Sequence, residues 1–134
     1  MRIPGLDLVA NGAELNALPW RSTRYEGVGW LALATSDPDA AFGDSQTVLI
    51  RMAPGCGYPT HEHCGPEDVL ILAGGYRDLE DGRVLRAGDF HRYPAGSRHT
   101  PVALEDESSS AGVLFAVAHG GTQVVRELGT QAQS

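Results

Sequence analysis

The residues able to do chemistry are concentrated between positions 61 and 99 of this sequence. His61, Glu62 and His63 lead to Glu67, and His99 stands just after a Pro94-Ala95-Gly96 turn. Two imidazoles and a carboxylate, with a third imidazole able to complete the set, form a borderline-hard donor group. Such a group suits Fe(II), Mn(II), Ni(II), Cu(II) or Zn(II), and geometry rather than raw affinity separates these ions. The pattern points to one mononuclear site for a divalent transition metal.

Strand geometry is what makes the spacing meaningful. Side chains alternate between the two faces of a strand, so His61 and His63 project to the same side. Glu67 shares their parity across the Cys64-Gly65-Pro66 turn and heads the run Asp68-Val69-Leu70-Ile71-Leu72-Ala73, in which Val69 and Ile71 continue its face into an apolar core. A carboxylate there has to be paired, hydrogen-bonded or bound to a cation, because an unpaired buried charge costs several kcal/mol.

The elements around this segment read as strands. Seventeen glycines and eight prolines punctuate short apolar stretches, and few windows sustain helical spacing, so the chain has an all-β signature. Strands are expected over Gly29 to Thr35, Ser45 to Ala53, Tyr58 to His63, Glu67 to Gly74, Gly75 to Asp78 and Arg83 to Arg86. Four more are expected over Asp89 to Tyr93, His99 to Ala103, Gly112 to Val117 and Gln123 to Arg126. In Val113 to His119 the odd positions carry bulk and two of the three even ones are alanine, the pattern of a strand with one core face. Glu80-Asp81-Gly82 predicts a hairpin with Gly82 at positive φ. A short helical turn is expected around Ala13 to Ala17, an acidic serine-rich loop over Leu104 to Ser110, and a frayed tail after Leu128. Closing such strands into a small barrel or two-sheet jelly roll leaves a tapered interior able to hold a metal and one small ligand.

Composition sets outer limits. The 134 residues fit a single domain, 1–134, with its core over about 27–126, since a chain of this size removes roughly two-thirds of its unfolded surface from water. A formal charge of -7, from 17 acidic against 10 basic residues, argues against a nucleic acid or an anionic membrane surface as partner. Small-molecule ligands and protein partners remain open. Two cysteines, Cys56 and Cys64, are too few for a disulfide framework. No signal-peptide pattern is present and no apolar run approaches the roughly 18 residues that span a bilayer, so a cytoplasmic location is expected.

The spacing carries a resemblance. Gly55, five residues, His61-x-His63, three residues, Glu67, six residues, Gly74 is followed by Gly88, five residues, Pro94-x-Gly96, two residues, His99. In that order these two blocks resemble the two signature motifs of the cupin superfamily, a small β-barrel or jelly roll with a metal inside. The resemblance implies that His61, His63, Glu67 and His99 are the metal ligands, for Fe, Zn, Mn or Ni. Ala103 departs from the pattern, since many cupins carry asparagine there. Met52-Ala53-Pro54-Gly55, Leu72 to Asp78 and Arg86 to Phe90 further resemble the ChrR-type cupin group, which includes the C-terminal domain of ChrR-type anti-sigma factors and is similar to acetylacetone dioxygenase. The His/Cys zinc-binding helical domain by which such an anti-sigma factor holds its sigma factor is not found in this sequence, which argues against a transcriptional role.

Further residues complete the expectations. Tyr58, His91, His119 and Arg51 are candidates for the pocket, with Phe90 and Tyr93 beside them. Cys64 is expected to pack as a small apolar side chain, and Trp20 and Trp30 to cover the barrel or a partner surface. A homodimer is expected, because apolar strand edges often pair across a two-fold axis. Three functions fit: oxidative cleavage of a small diketone or related oxygen chelator by a metal-dependent dioxygenase, a non-catalytic metal or ligand sensor, and metal-assisted isomerase or lyase chemistry. The last needs an acid/base among His91, Tyr58 and His119.

Overall fold

A computed structural model describes residues 12–34, 46–105 and 111–126. A five-residue helix, α1 (Gly12–Asn16), comes first, where a helical turn was expected. The strands follow in chain order as β1 (Arg21–Ser22), β2 (Val28–Ala34), β3 (Gln46–Met52), β4 (Thr60–His63), β5 (Glu67–Ala73) and β6 (Gly75–Asp78). Then come β7 (Val84–Arg86), β8 (Phe90–Tyr93), β9 (Arg98–His99), β10 (Pro101–Ala103), β11 (Gly112–Ala118) and β12 (Thr122–Arg126). The 106–110 part of the expected acidic loop, Thr35, Ser45 and the tail after Leu128 lie outside the described residues.

The strands form an antiparallel jelly roll. One sheet has six strands in the order β1-β2-β3-β11-β5-β8, and the other layer is divided into β10-β6-β7 and β12-β4-β9. The expected pair of sheets is thus one continuous layer and one split layer. The split falls at Thr100, where the single strand expected over His99 to Ala103 breaks into β9 and β10, each in a different small sheet. Thr100 is held there by buried polar contacts: its N–H donates to Asp78 Oδ1 at 3.0 Å and its hydroxyl meets that of Thr60 at 2.7 Å. Similarly, the strand expected from Tyr58 starts only at Thr60, because Gly57 and Tyr58 pair with Val102 and Pro101 as an isolated bridge. β1 was not expected; at two exposed residues it carries no alternation to read.

The core lies between the layers. Trp30, Val48, Val69, Ile71, Leu114 and Ala116 of the six-stranded sheet pack against Tyr76, Leu85 and Ala103 of the small sheet β10-β6-β7. Val69 and Ile71 are each 1% exposed, as the face beginning at Glu67 requires. Trp30 belongs to this core instead of covering it, with the Arg21 guanidinium 4.4 Å from its ring centroid.

β11 corrects one reading of alternation. Val113 is buried, but past the irregularity between Val113 and Leu114 the bulky odd residues Phe115 and Val117 are only half-buried, whereas Leu114 and Ala116 point into the core. Inward alanines on a central strand leave room in the interior, so bulk alone misassigns the face. The β6–β7 hairpin turns as expected, with Gly82 at φ 76° and its N–H bonded to the Asp78 carbonyl at 2.8 Å. Among the described residues no helix is long and apolar enough to cross a membrane.

Candidate metal centre

Three elements bring the site together. β4 supplies His61 and His63 from its inner face, with His61 directly opposite His99 in the β4–β9 ladder. β5 supplies Glu67 from the opposing sheet. The turn that returns the chain to His99 is clamped to β4: the Gly96 N–H donates to the His63 carbonyl at 2.7 Å, and the His63 N–H donates to the Ser97 carbonyl at 2.9 Å. Gly96 makes this turn at φ 82°, a left-handed conformation that a Cβ would strain.

All four side chains are buried, and one nitrogen or oxygen from each lies within 4.8 Å of the others. His63 Nε2 is 3.3 Å and His99 Nε2 is 3.9 Å from Glu67 Oε1. The imidazole centroids of His61 and His99 are 4.2 Å apart, and those of His63 and His99 4.7 Å.

Their outer contacts choose the tautomer. His61 Nδ1 lies 2.9 Å from the Pro59 carbonyl, which can only accept, so Nδ1 carries the hydrogen and Nε2 presents a lone pair inward. Ser97 Oγ donates to the Pro94 carbonyl at 2.6 Å, which commits its hydrogen; at 3.0 Å it therefore accepts from His63 Nδ1. His63 Nε2 is again left as an inward lone pair. These are the contacts by which ligating imidazoles are oriented.

The fit to a cation follows. His63 Nε2 and both ring nitrogens of His99 are buried without any hydrogen-bond partner. Orphaned buried nitrogens are costly, and a cation shared with Glu67 would satisfy His63 Nε2 and His99 Nε2, the two that lie near its carboxylate. Burial also holds the His61 imidazole down to a pKa of about 4, the Pro59 contact opposing the shift, and pushes His99 well below the ordinary value, so both stay neutral as ligation requires. Asp78, 1% exposed, places Oδ2 3.9 Å from His99 Nδ1 behind the site, and burial raises its carboxyl above the usual range.

A cavity of about 50 Å³ adjoins His61, Glu67 and His99. Its walls are apolar for the most part, from Met52, Val69 and Leu114, with Tyr58 and Tyr76 supplying rings and hydroxyls. Of the pocket candidates, Tyr58 is inside, its ring 4.8 Å from that of His61. The other three are not in the wall. Arg51 lies on the outer face of β3, where its Nε donates to Asn16 Oδ1 at 2.8 Å. His119 is exposed beyond the end of β11 and lies 3.9 Å from Asp68 Oδ2. His91 is half-buried against the Arg83 guanidinium, and its ring meets Tyr93 instead of the cavity. Period-two alternation could not assign these faces without the registers.

Other expectations change too. Cys64 is exposed on the turn between β4 and β5 and does not pack as an apolar side chain. Phe90 is half-buried and absent from the cavity wall. Tyr93 is buried and stacks on His63, with centroids 5.0 Å apart. Sequence reasoning missed Tyr76, Asp78, Ser97 and Pro59, since parity from Glu67 does not carry over to β6 and turn spacing identifies no hydrogen-bond partner.

A jelly roll with three histidines and a glutamate gathered on its inner face is the arrangement of a cupin. More narrowly, the chain belongs to the ChrR cupin-like domain family, which matches residues 10–123. Among solved structures it is similar to a chain of the Rhodobacter sphaeroides SigE complex with the anti-sigma ChrR, at 29% identity and a TM-score of 0.61. That match covers 78% of this chain and 50% of the other, so the chain spans about half the length of that relative. An acetylacetone dioxygenase from Acinetobacter johnsonii matches at 18% identity and a TM-score of 0.60, covering 81% of this chain and 70% of its own. The polyketide cyclase RemF from Streptomyces resistomycificus matches at 18% identity and 0.64, covering 87% and 84%. The last two likenesses show the fold alone, and one fold hosting such different proteins leaves function to the site. No curated protein sequence matches the chain.

Proposed function

We propose that this protein binds one divalent transition-metal ion through His61, His63, Glu67 and His99, and that it acts on a small oxygen-chelating substrate such as a diketone as a metal-dependent dioxygenase. The observation that carries the reading is the pair of buried, partnerless ring nitrogens, His63 Nε2 and His99 Nε2, that lie 3.3 and 3.9 Å from the Glu67 carboxylate. A bound ion of this kind supplies Lewis acidity toward the chelating oxygens and a route for electrons to O₂.

The chain's own residues do the rest. Pro59 and Ser97 fix the imidazoles of His61 and His63 so that their lone pairs converge. Met52, Val69 and Leu114 keep water from the cavity, which strengthens every polar interaction inside it.

A second reading, a non-catalytic sensor in which metal or ligand occupancy stabilises the fold and alters a partner surface, is favoured by the 29% identity to a chain of the ChrR complex, against 18% to the dioxygenase. A homodimer in the cytoplasm is compatible with both readings. Elemental analysis of protein prepared without added metal, followed by oxygen-electrode measurements on the Fe(II)-loaded protein with small diketones and hydroxylated aromatic ketones, separates them. Oxygen uptake dependent on a diketone supports the enzyme. Tight zinc as isolated with no turnover across the panel supports the sensor, and failure to take up any stoichiometric metal overturns the enzyme and the metal sensor alike.

A further inference from the structure

The hydroxyls of Tyr76 and Tyr93 lie 2.6 Å apart in the buried wall beside the metal centre. Two phenols bring two O–H donors, and a bond between them uses one hydrogen. Among the described residues neither hydroxyl has another hydrogen-bond partner, so one buried donor is left over. Such a group carries an uncompensated desolvation penalty unless something in the cavity accepts from it.

Either hydroxyl can be the donor in this contact, and the two differ in what their rings face. The Tyr93 ring is enclosed by imidazoles, with centroids 4.2 Å from His99, 4.5 Å from His91 and 5.0 Å from His63. It does not line the cavity. Tyr76 does, together with His61, Glu67 and His99. The arrangement in which Tyr93 donates to Tyr76 leaves the free O–H on the residue that faces the cavity.

We infer that Tyr76 is a specificity-determining residue whose hydroxyl, oriented by Tyr93, donates to an oxygen of the pocket's ligand. The inference rests on the reading of the site as a metal centre and adds to it a selection rule: oxygen chelators with an acceptor lone pair toward Tyr76 are held better than ligands lacking one. Tyr93 is a positioning residue, since it reaches the ligand only through Tyr76.

Co(II)-loaded protein gives an absorption spectrum that reports ligand binding without turnover. Acetylacetone, which offers acceptor oxygens, and imidazole, which offers none once bound, are titrated into wild type, Tyr76→Phe and Tyr93→Phe. Tyr76→Phe is expected to keep one equivalent of Co(II), to weaken acetylacetone about tenfold and to change imidazole by less than about twofold, as the loss of one hydrogen bond to a charged or polar oxygen predicts. Tyr93→Phe is expected to weaken acetylacetone by a smaller factor, about threefold, again sparing imidazole. Equal effects on both probes, or none on acetylacetone, overturn the inference while leaving the metal centre intact. If Tyr76→Phe does not fold, unchanged acetylacetone affinity in Tyr93→Phe overturns it alone. Failure of the wild type to take up Co(II) sinks the metal centre, and this inference with it.

Discussion

His61 and His99 stand directly opposite one another across the β4–β9 ladder, with ring centroids 4.2 Å apart, although β9 itself is only two residues long. The third histidine therefore joins the first two through backbone pairing across the small sheet, and the site is as rigid as that ladder. Changing His61 and His63 together to alanine removes two of the four donors while leaving β9 in place. The double variant should carry no stoichiometric metal by elemental analysis after gel filtration, where wild type should carry one equivalent. One equivalent retained in the variant would refute the assignment of the ligands.

The histidine pair and Glu67 were legible in the sequence because strand parity is local: two residues apart on β4, and the head of an apolar run on β5. His99 was legible only through the spacing of the two blocks. What the sequence hid depends on contacts between distant segments. Ser97 meets His63, Asp78 sits behind His99, and Tyr76 reaches Tyr93, all through a register that no local pattern encodes. The same limit explains β11, where the alanine face is the inner one, and Arg51, whose strand position gave no hint of its turn toward Asn16.

Ser97 makes a sharp test of the orienting contacts. Its hydroxyl accepts from His63 Nδ1 and donates to the Pro94 carbonyl, so Ser97→Ala frees the imidazole to rotate or to change tautomer without removing a ligand. Losing an outer partner of a ligating imidazole typically costs about 10–100-fold in metal affinity. Competition against a chromophoric chelator should show a loss in that range with stoichiometry unchanged. An affinity within twofold of wild type would mean that backbone pairing alone orients His63.

The metal-free protein should lose stability on mild acidification. Burial holds His61 at a pKa of about 4 in the folded protein against 6.5 for the free side chain, so the unfolded chain takes up the proton first as pH falls. Stability is complete above about pH 6.5, declines through the interval down to about 4, and then levels off. This residue alone accounts for up to roughly 3 kcal/mol of the decline. His99, pushed in the same direction, deepens it. Urea denaturation of chelator-treated protein at pH 7.5, 5.5 and 4.5 measures the slope, and equal unfolding free energies at the three values would contradict the burial of neutral imidazoles.

Metal should also act as a staple between the layers, since Glu67 belongs to the six-stranded sheet and the three histidines to β4 and β9 of the split layer. A ligand that binds only the folded state stabilises it by RT ln(1 + [L]/Kd), about 4 kcal/mol at a thousandfold excess over Kd. For a chain of this length that corresponds to a rise in Tm on the order of 10 °C. Scanning calorimetry of the loaded protein with and without a chelator should show a shift of that size, and Glu67→Gln, which keeps the shape of the side chain but weakens its hold on a cation, should reduce it. The His61→Ala/His63→Ala variant should be indifferent to the chelator. If the chelator lowers Tm equally in that variant, the stabilising ion is held elsewhere, and the link between the layers is made by the core packing of Val69, Ile71 and Tyr76 alone.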